Sequence, residues 1–289
     1  MEEIKYLVFS GGGIRGVAYA KIPLILEKYG ILSNIEGVAG TSAGSIIAGL
    51  LAIKMTPDKI YDIITNMDYN KFKDDSYGIL FDLYRFTNKY GWNRGDYFHN
   101  WYEKILEEET GIREITLEDA YNLTKIELTV VSTCWNTSNP EYINYKTYPK
   151  LPVSAAVRMS MSYPLFFVPY SYNGMLYVDG GMTNNFPIEL YPKENVLGFK
   201  LLSNSQKIQD GRLVTNLDPK NIIVYTTNLI SIMLTTVENN NMRNEYLEKT
   251  VFIDTGDISS MDFDIALDEE LWLIKNGEEA LRKYLEEDE

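Results

Sequence analysis

Two strand–turn–helix units occupy the first fifty residues of the chain. The stretch "YLVFSGGGIRGVAYAKI" (Tyr6 to Ile22) places a short apolar strand before three glycines and a helical pattern of about Gly16 to Tyr29. The stretch "IEGVAGTSAGSIIAGL" (Ile35 to Leu50) repeats this order with a second glycine-flanked turn. Strand–helix–strand–helix order predicts an α/β fold, in which a parallel sheet carries helices on both faces.

The first turn has two interpretations. Gly11, Gly13 and Gly16 spell G-x-G-x-x-G, and Glu36 follows about twenty positions later, as in a dinucleotide-binding fingerprint. The ribose-binding acid of that fingerprint belongs at the carboxyl end of the second strand, whereas Glu36 stands at its beginning. Amides at a helix start also bind an oxyanion that exists only during a reaction.

The second turn, "GTSAG", has the G-x-S-x-G pattern of a nucleophile elbow. Residues on either side of the serine crowd each other in such a turn, and Gly40 and Gly44 are small enough to fit. The turn would point the Ser42 hydroxyl at a substrate. The alternative is a tight strand-to-helix turn with a solvent-facing serine.

The two turns should lie on neighbouring strands at the carboxyl edge of the sheet. Backbone amides around Gly12 and Gly13 would then face the space above Ser42, which is the geometry of an oxyanion hole. Arg15 would add positive charge there, or would pair with a carboxylate on the helix surface.

A serine nucleophile needs a base. The one histidine, His99, falls in an amphipathic helical pattern, which is typical of a structural or surface residue. Asp179 follows a strand in "LYVDGGMTNNFP" and is the better candidate, although an Asp-Gly turn is also a common plain β-turn.

Charge and composition exclude some functions. The formal net charge of −14 and the absence of a Lys/Arg cluster argue against nucleic acid, and any membrane contact would depend on apolar side chains. A single cysteine, Cys134, and the acidic start "MEEIKY" predict a reducing compartment, the cytoplasm, without a signal peptide. The apolar run from Ser42 to Met55 is too short to span a bilayer and predicts a buried helix.

The rest of the chain is interpreted as one domain over residues 1–289. Motifs of the catalytic core fall within about residues 4–190, a helical insertion covers about residues 57–123, and residues 195–289 complete the same domain. Further strands are predicted at Ile126–Trp135, Asn195–Leu202 and Lys249–Gly256, and a terminal helix from about Asp268.

Aromatic and methionine side chains in and after the insertion would either pack in the core or form an acyl channel or membrane-facing surface. These residues are Tyr77, Leu80, Phe81, Leu83, Tyr84, Phe86, Met159, Met161, Phe166 and Phe167.

Together, "GGGIRG", "GTSAG" and "DGG" resemble the motifs of the patatin-like phospholipase family, and "AAVRMSMSYPLFFVPY" and "DGGMTNNFP" extend the resemblance over nearly the whole chain. The resemblance implies a three-layer α/β/α sandwich with a parallel-rich sheet. It implies a Ser–Asp dyad of Ser42 and Asp179, with Gly180 and Gly181 in the acidic motif. It assigns the oxyanion hole to Gly11, Gly12, Gly13 and Arg15.

The family's activity is hydrolysis of phospholipid and related acyl esters without calcium or another cofactor, by phospholipase A or lysophospholipase reactions. The alternative is a binding or regulatory module on the same fold.

Overall fold

A computed structural model describes residues 3–74, 85–203, 206–209, 212–215, 229, 232–237, 239 and 244–287. Its main sheet has eight strands: β1 (Tyr6–Phe9), β2 (Gly37–Thr41), β4 (Glu127–Cys134), β5 (Asn139–Ile143), β7 (Tyr170–Tyr172), β8 (Met175–Asp179), β9 (Val196–Leu202) and β12 (Thr250–Asp254). Two strand pairs lie outside it: β3 (Gly91–Asn93) with β6 (Leu165–Phe167), and β10 (Gln206–Gln209) with β11 (Arg212–Thr215).

The main sheet is mostly parallel. Its path is β12-β9-β1-β2-β4-β8-β7, with β5 also paired to β4. The pairs from β12 to β4 are parallel, and β8, β7 and β5 are added antiparallel. Helices lie on both sides of the sheet, so the predicted α/β class and parallel-rich sheet are confirmed.

The α-helices with defined bounds are α1 (Ile22–Lys28), α2 (Ala43–Ala52), α3 (Pro57–Thr65), α4 (Asp96–Thr110), α5 (Leu117–Thr124), α6 (Val153–Ser160) and α7 (Leu267–Glu287). Every residue of α2 is buried, as the apolar run predicts. In the described part of the chain, no helix is both long enough and apolar enough to cross a bilayer.

Alternation along β1 explains how one short strand serves two cores. Leu7 and Phe9 belong to the large apolar cluster on one face, and Val8 belongs to a smaller cluster on the other. Successive side chains of a strand point to opposite faces, so a strand covered on both sides is apolar throughout.

The predicted helix from Gly16 to Tyr29 is wrong as a single element. Residues Gly13–Tyr19 form a 3-10 helix, and α1 begins afresh with Pro23 in its first turn. Proline has no N–H to donate and its ring clashes with the preceding turn, so a continuous helix through this position is disfavoured.

The connection between β2 and β4 is mainly helical in its described residues, through α2, α3, α4 and α5, as expected for the insertion. The short strand β3 interrupts this region and pairs in parallel with β6. Five of the side chains expected either to pack in the core or to form an acyl channel or membrane-facing surface lie outside the described residues: Tyr77, Leu80, Phe81, Leu83 and Tyr84.

The C-terminal part of the chain packs on the first glycine turn. Ser260 O accepts a 3.0 Å hydrogen bond from Ile14 N–H. Gly277 of α7 lies so close to Ala18 that a Cβ at position 277 would collide with the Ala18 carbonyl. The glycine turn and the 3-10 helix after it therefore contact the C-terminal residues Ser260 and Gly277 as well as the sheet.

Candidate active site

Ser42 stands in a strained turn between β2 and α2. Its backbone angles, φ 50° and ψ −125°, lie in a region that residues other than glycine rarely adopt. The residue is 8% exposed. A Cβ on Gly40 would collide with the Gly44 carbonyl, and one on Gly44 with the Phe9 carbonyl. Close backbone approach therefore requires glycine at both positions.

Two neighbours in one segment fix Ser42. Its N–H donates to Ser160 Oγ at 2.8 Å, and its hydroxyl donates to Met161 Sδ at 3.8 Å. Ser160 Oγ in turn donates to Val131 O at 2.5 Å. A thioether is a weak acceptor, so the Ser42 hydroxyl proton is available for a stronger one.

The glycine turn lies beside Ser42 because β1 and β2 are parallel neighbours. Gly11 N–H donates to Asn185 O at 3.1 Å, so the Gly11 amide is engaged within the protein. The amides of Gly12 and Gly13 have no acceptor among the described residues. Of the three predicted glycine donors, these two remain available to a ligand.

Position 13 requires glycine for two reasons. Its φ is 59°, and a Cβ there would collide with the Ser260 carbonyl. Arg15 Nε donates to Gly12 O at 3.1 Å. Since the Gly12 carbonyl and the Gly13 N–H belong to one peptide unit, this bond helps to orient the Gly13 N–H.

Asp179 ends β8 and is 3% exposed. Its Oδ1 accepts a 2.7 Å hydrogen bond from Gly181 N–H, and its own N–H donates to Ser162 O at 2.9 Å. Its Oδ2 is buried with no hydrogen-bond partner among the described residues. A Cβ on Gly180 would collide with the Val131 carbonyl, so this turn also depends on glycine.

Burial raises the pKa of Asp179 to about 6, while the nearby Ser42 hydroxyl and the hydrogen bond from Gly181 N–H oppose the rise. The Ser42 hydroxyl is close enough to lower this pKa, yet no hydrogen bond of normal geometry joins these two described side chains. Such bonds are commonly long before substrate binds and shorten in the reacting complex.

Ser42 and Asp179 line one cavity of about 100 Å³ together with Gly11, Gly12, Gly13, Arg15 and Gly181. Its remaining wall is largely apolar and includes Met161, Phe166, Phe167, Leu234, Met261 and Phe263. Of the predicted channel residues, Met161, Phe166 and Phe167 therefore face this cavity. Met159 is buried in the core, and Phe86 stacks on Trp92 at a ring-centroid distance of 4.7 Å.

Sequence reasoning missed three neighbours of the site: Ser160, Tyr163 and Asn185. Tyr163 lines the cavity, and burial followed by the charge of Asp179 raises its pKa to about 12. Asn185 lies in the quoted "DGGMTNNFP", which gives no indication that its carbonyl binds the Gly11 amide.

Two other predicted positions are placed away from the Ser42 cavity. Glu36 precedes β2 and pairs with Lys5 at 2.7 Å, at the opposite end of the strand from the glycine turn. His99 Nε2 lies 3.2 Å from Ser154 Oγ. Among the residues that the structure describes, no three His, Cys, Asp or Glu side chains form a metal-binding group.

Comparison with known proteins identifies related chains. The model of the patatin-like phospholipase family matches residues 7–191. The "Uncharacterized protein R571" of Acanthamoeba polyphaga mimivirus is 31% identical over 98% of this chain and 94% of its own. The "Probable lipid hydrolase 463L" of Invertebrate iridescent virus 6 is 32% identical over 64% of this chain and 62% of its own.

The structure of VipD from Legionella pneumophila has a similar fold. It superposes with a TM-score of 0.66 and 20% sequence identity, over 99% of this chain and 67% of the VipD chain.

Proposed function

The chain belongs to the patatin-like phospholipase family, and from this premise we propose that it is a lipid acyl hydrolase that cleaves carboxylic esters through Ser42 and Asp179 without calcium. One observation carries the proposal. The strained Ser42, the buried carboxyl group of Asp179 with its raised pKa, and the residues Gly12 and Gly13, whose amides have no acceptor among the described residues, all line the same cavity.

In the first half-reaction, Asp179 takes the hydroxyl proton as Ser42 Oγ attacks the ester carbonyl carbon. An unperturbed aspartate is a weak base, and burial makes Asp179 a stronger one. The oxygen of the tetrahedral intermediate carries the negative charge. Collapse of that intermediate releases the alcohol or lysolipid, which takes the proton from Asp179, and leaves an acyl group on Ser42.

The amides of Gly12 and Gly13 supply the oxyanion donors in this mechanism. Donors fixed before the reaction each contribute about 3–4 kcal/mol to transition-state stabilisation in enzymes of this kind. Arg15 would act through its bond to Gly12 O, which orients the peptide between the two glycines. With the base and the oxyanion donors both supplied by the chain, the mechanism needs no metal ion.

In the second half-reaction, Asp179 takes a proton from water, which attacks the acyl-enzyme. The fatty acid leaves and the proton returns to Ser42. The apolar wall formed by Met161, Phe166, Phe167 and their neighbours suits an acyl chain. The name of the iridescent virus relative, a probable lipid hydrolase, supports the same class of substrate.

We also propose that residues 1–289 act as one domain and that the protein is cytoplasmic and reaches lipid by peripheral contact. The bond from Ile14 to Ser260 and the close approach of Gly277 to Ala18 support the single domain. Apolar contact is favoured because the net charge of −14 repels anionic surfaces.

The test is release of fatty acid from mixed phospholipid vesicles in the presence of a chelator, followed by mass spectrometry. Ser42→Ala should abolish release while its thermal unfolding stays cooperative. Ser33→Ala, which removes an exposed hydroxyl remote from the cavity, is the matched control.

Equal release by Ser42→Ala would overturn the assignment of the nucleophile. A folded wild-type protein that releases nothing, and whose Ser42 does not react with a fluorophosphonate, would favour the non-catalytic module. The lysolipids formed would identify the acyl position and the head group.

A further inference from the structure

A second cavity is lined by side chains of α4, α6 and the segment 168–171, and the proposed reaction does not use it. Its volume is about 470 Å³, within the range of about 300–1,000 Å³ typical of small-molecule sites. Val168, Pro169, Tyr170 and Ser171 form one wall. The charged and titratable side chains of its lining are Arg85, Lys89, Arg94, Asp96, His99 and Arg158.

Among the described residues that line this cavity, the balance of charge is opposite in sign to that of the whole protein. Four of these side chains are cationic and one is a carboxylate, in a chain whose net charge is −14. Concave sites lined by one sign of charge concentrate ligands of the other sign. Guanidinium groups in particular match the oxygen geometry of phosphate.

Arg158 is the fixed element of the lining, at 3% exposed. Its guanidinium donates to Gly95 O at 3.1 Å, Ser162 Oγ at 2.6 Å, Arg94 O at 2.6 Å and Val168 O at 3.0 Å. All these acceptors are neutral, and no carboxylate among the described residues forms an ion pair with it. A buried charge of this kind normally has a counter-ion.

Nearby acids compensate Arg158 only in part. Asp74 and Asp96 favour its charged form from a distance, yet burial still lowers the pKa of Arg158 to about 10. The carboxylate of Asp74 is occupied by the N–H groups of Gly95, Asp96 and Tyr97 at the start of α4. The helix amides are therefore already capped, and an anion in this cavity would meet side chains.

We propose that this cavity binds a phosphate group, carried by a small soluble molecule or by a lipid head group. Arg158 forms its floor, and Arg85, Lys89 and Arg94 surround the anion. His99 stands at the wall as a neutral imidazole, because burial and the charge of Arg158 lower its pKa. A bound phosphate would favour the protonated ring and raise that pKa.

The test uses the fact that His99 is the one histidine of the chain. Its ring resonances in a proton NMR spectrum report on this cavity without interference and without any hydrolysis. Inorganic phosphate is titrated against sodium chloride of equal ionic strength. We expect a saturable shift of the His99 resonances with phosphate alone and a raised pKa of His99 in its presence.

A matched pair of variants tests the site. Lys89→Gln with Arg94→Gln removes two cations from the lining and should weaken phosphate binding by about fivefold or more, as expected for charge-assisted contacts. Lys104→Gln with Arg113→Gln removes the same charge from exposed positions outside the cavity and should leave the affinity unchanged.

A second titration distinguishes the sources. A diether phosphatidic acid in phosphatidylcholine nanodiscs is compared with inorganic phosphate, and pure diether phosphatidylcholine controls for the acyl chains. Saturation by inorganic phosphate indicates a soluble ligand, and a shift that requires phosphatidic acid indicates a head group. No shift with either, or an equal shift in both double variants, would overturn the proposal and leave the Ser42 assignment untouched.

Discussion

The backbone N–H of Ser42 donates a 2.8 Å hydrogen bond to the hydroxyl of Ser160, at the end of α6. Two residues later, Ser162 O accepts the N–H of Asp179. One short segment thus contacts both members of the proposed dyad, which are far apart in the sequence. The relative position of serine and carboxyl group depends on this segment as well as on the sheet.

Ser160→Ala should reduce both activity and stability. It leaves Ser42 N–H and Val131 O without their partners, at a cost of about 1–3 kcal/mol for each buried group. A displaced nucleophile should lower kcat by about tenfold to a hundredfold, with little change in KM. Ser154→Ala, another buried serine of α6, is the control, since its hydroxyl contacts His99. Equal kcat values for the two variants would contradict the role of Ser160.

Hydrolysis should depend on the ionisation of Asp179. The proposed base acts only when deprotonated, so kcat/KM for a water-soluble ester should fall about tenfold per pH unit below an apparent pKa of about 6. The same fall in kcat/KM at low pH should persist in His99→Gln, which removes the one imidazole that also titrates in this range. If the fall in kcat/KM at low pH disappears in His99→Gln, ionisation of Asp179 is not its origin.

The same ionisation should make the fold less stable at high pH. The pKa of Asp179 is raised from 3.8 to about 6 in the native state, so its stabilising contribution is complete below pH 3.8 and is lost as pH rises through 6. Between pH 5 and pH 8 the loss is about 1–2 kcal/mol. Urea unfolding should show that Asp179→Asn is less sensitive to pH by this amount. If Asp179→Asn shows the same pH dependence of its unfolding free energy as the wild type, ionisation of Asp179 does not cause that dependence.

Arg15→Met should lower kcat and retain the fold. Arg15 Nε holds the Gly12 carbonyl, and the Gly13 N–H is the other end of that peptide unit. Loss of a well-oriented oxyanion donor costs about 10²–10³ in kcat in enzymes of this kind, which sets an upper limit here. Arg15→Lys should recover part of the rate. If the Met variant keeps full kcat with an intact unfolding transition, the peptide needs no such support.

Features set by local sterics were predictable from the sequence. The G-x-S-x-G pattern predicts a turn at Ser42 in which only glycine fits at positions 40 and 44, and strand–helix order predicts that β1 and β2 pair in parallel. Contacts between distant segments were not predictable. The engagement of the Gly11 amide depends on a carbonyl at position 185, and nothing in "RMSMSY" indicates that Ser160 binds Ser42.

The break between the first 3-10 helix and α1 shows an intermediate case. Pro23 was visible in the sequence and its effect on a continuous helix is general. The periodic apolar pattern from Gly16 onward does not by itself distinguish one helix from two short ones.

The support of Gly13 by the end of the chain has a consequence for biosynthesis. A nascent chain that has reached residue 191 contains every residue matched by the family model, including Ser42 and Asp179. It still lacks Ser260, whose carbonyl binds Ile14 N–H beside Gly13, and Gly277, which packs on Ala18. The glycine turn acquires these contacts only after residues 260 and 277 have been synthesised, so competence for hydrolysis would arise later than the synthesis of the proposed catalytic residues.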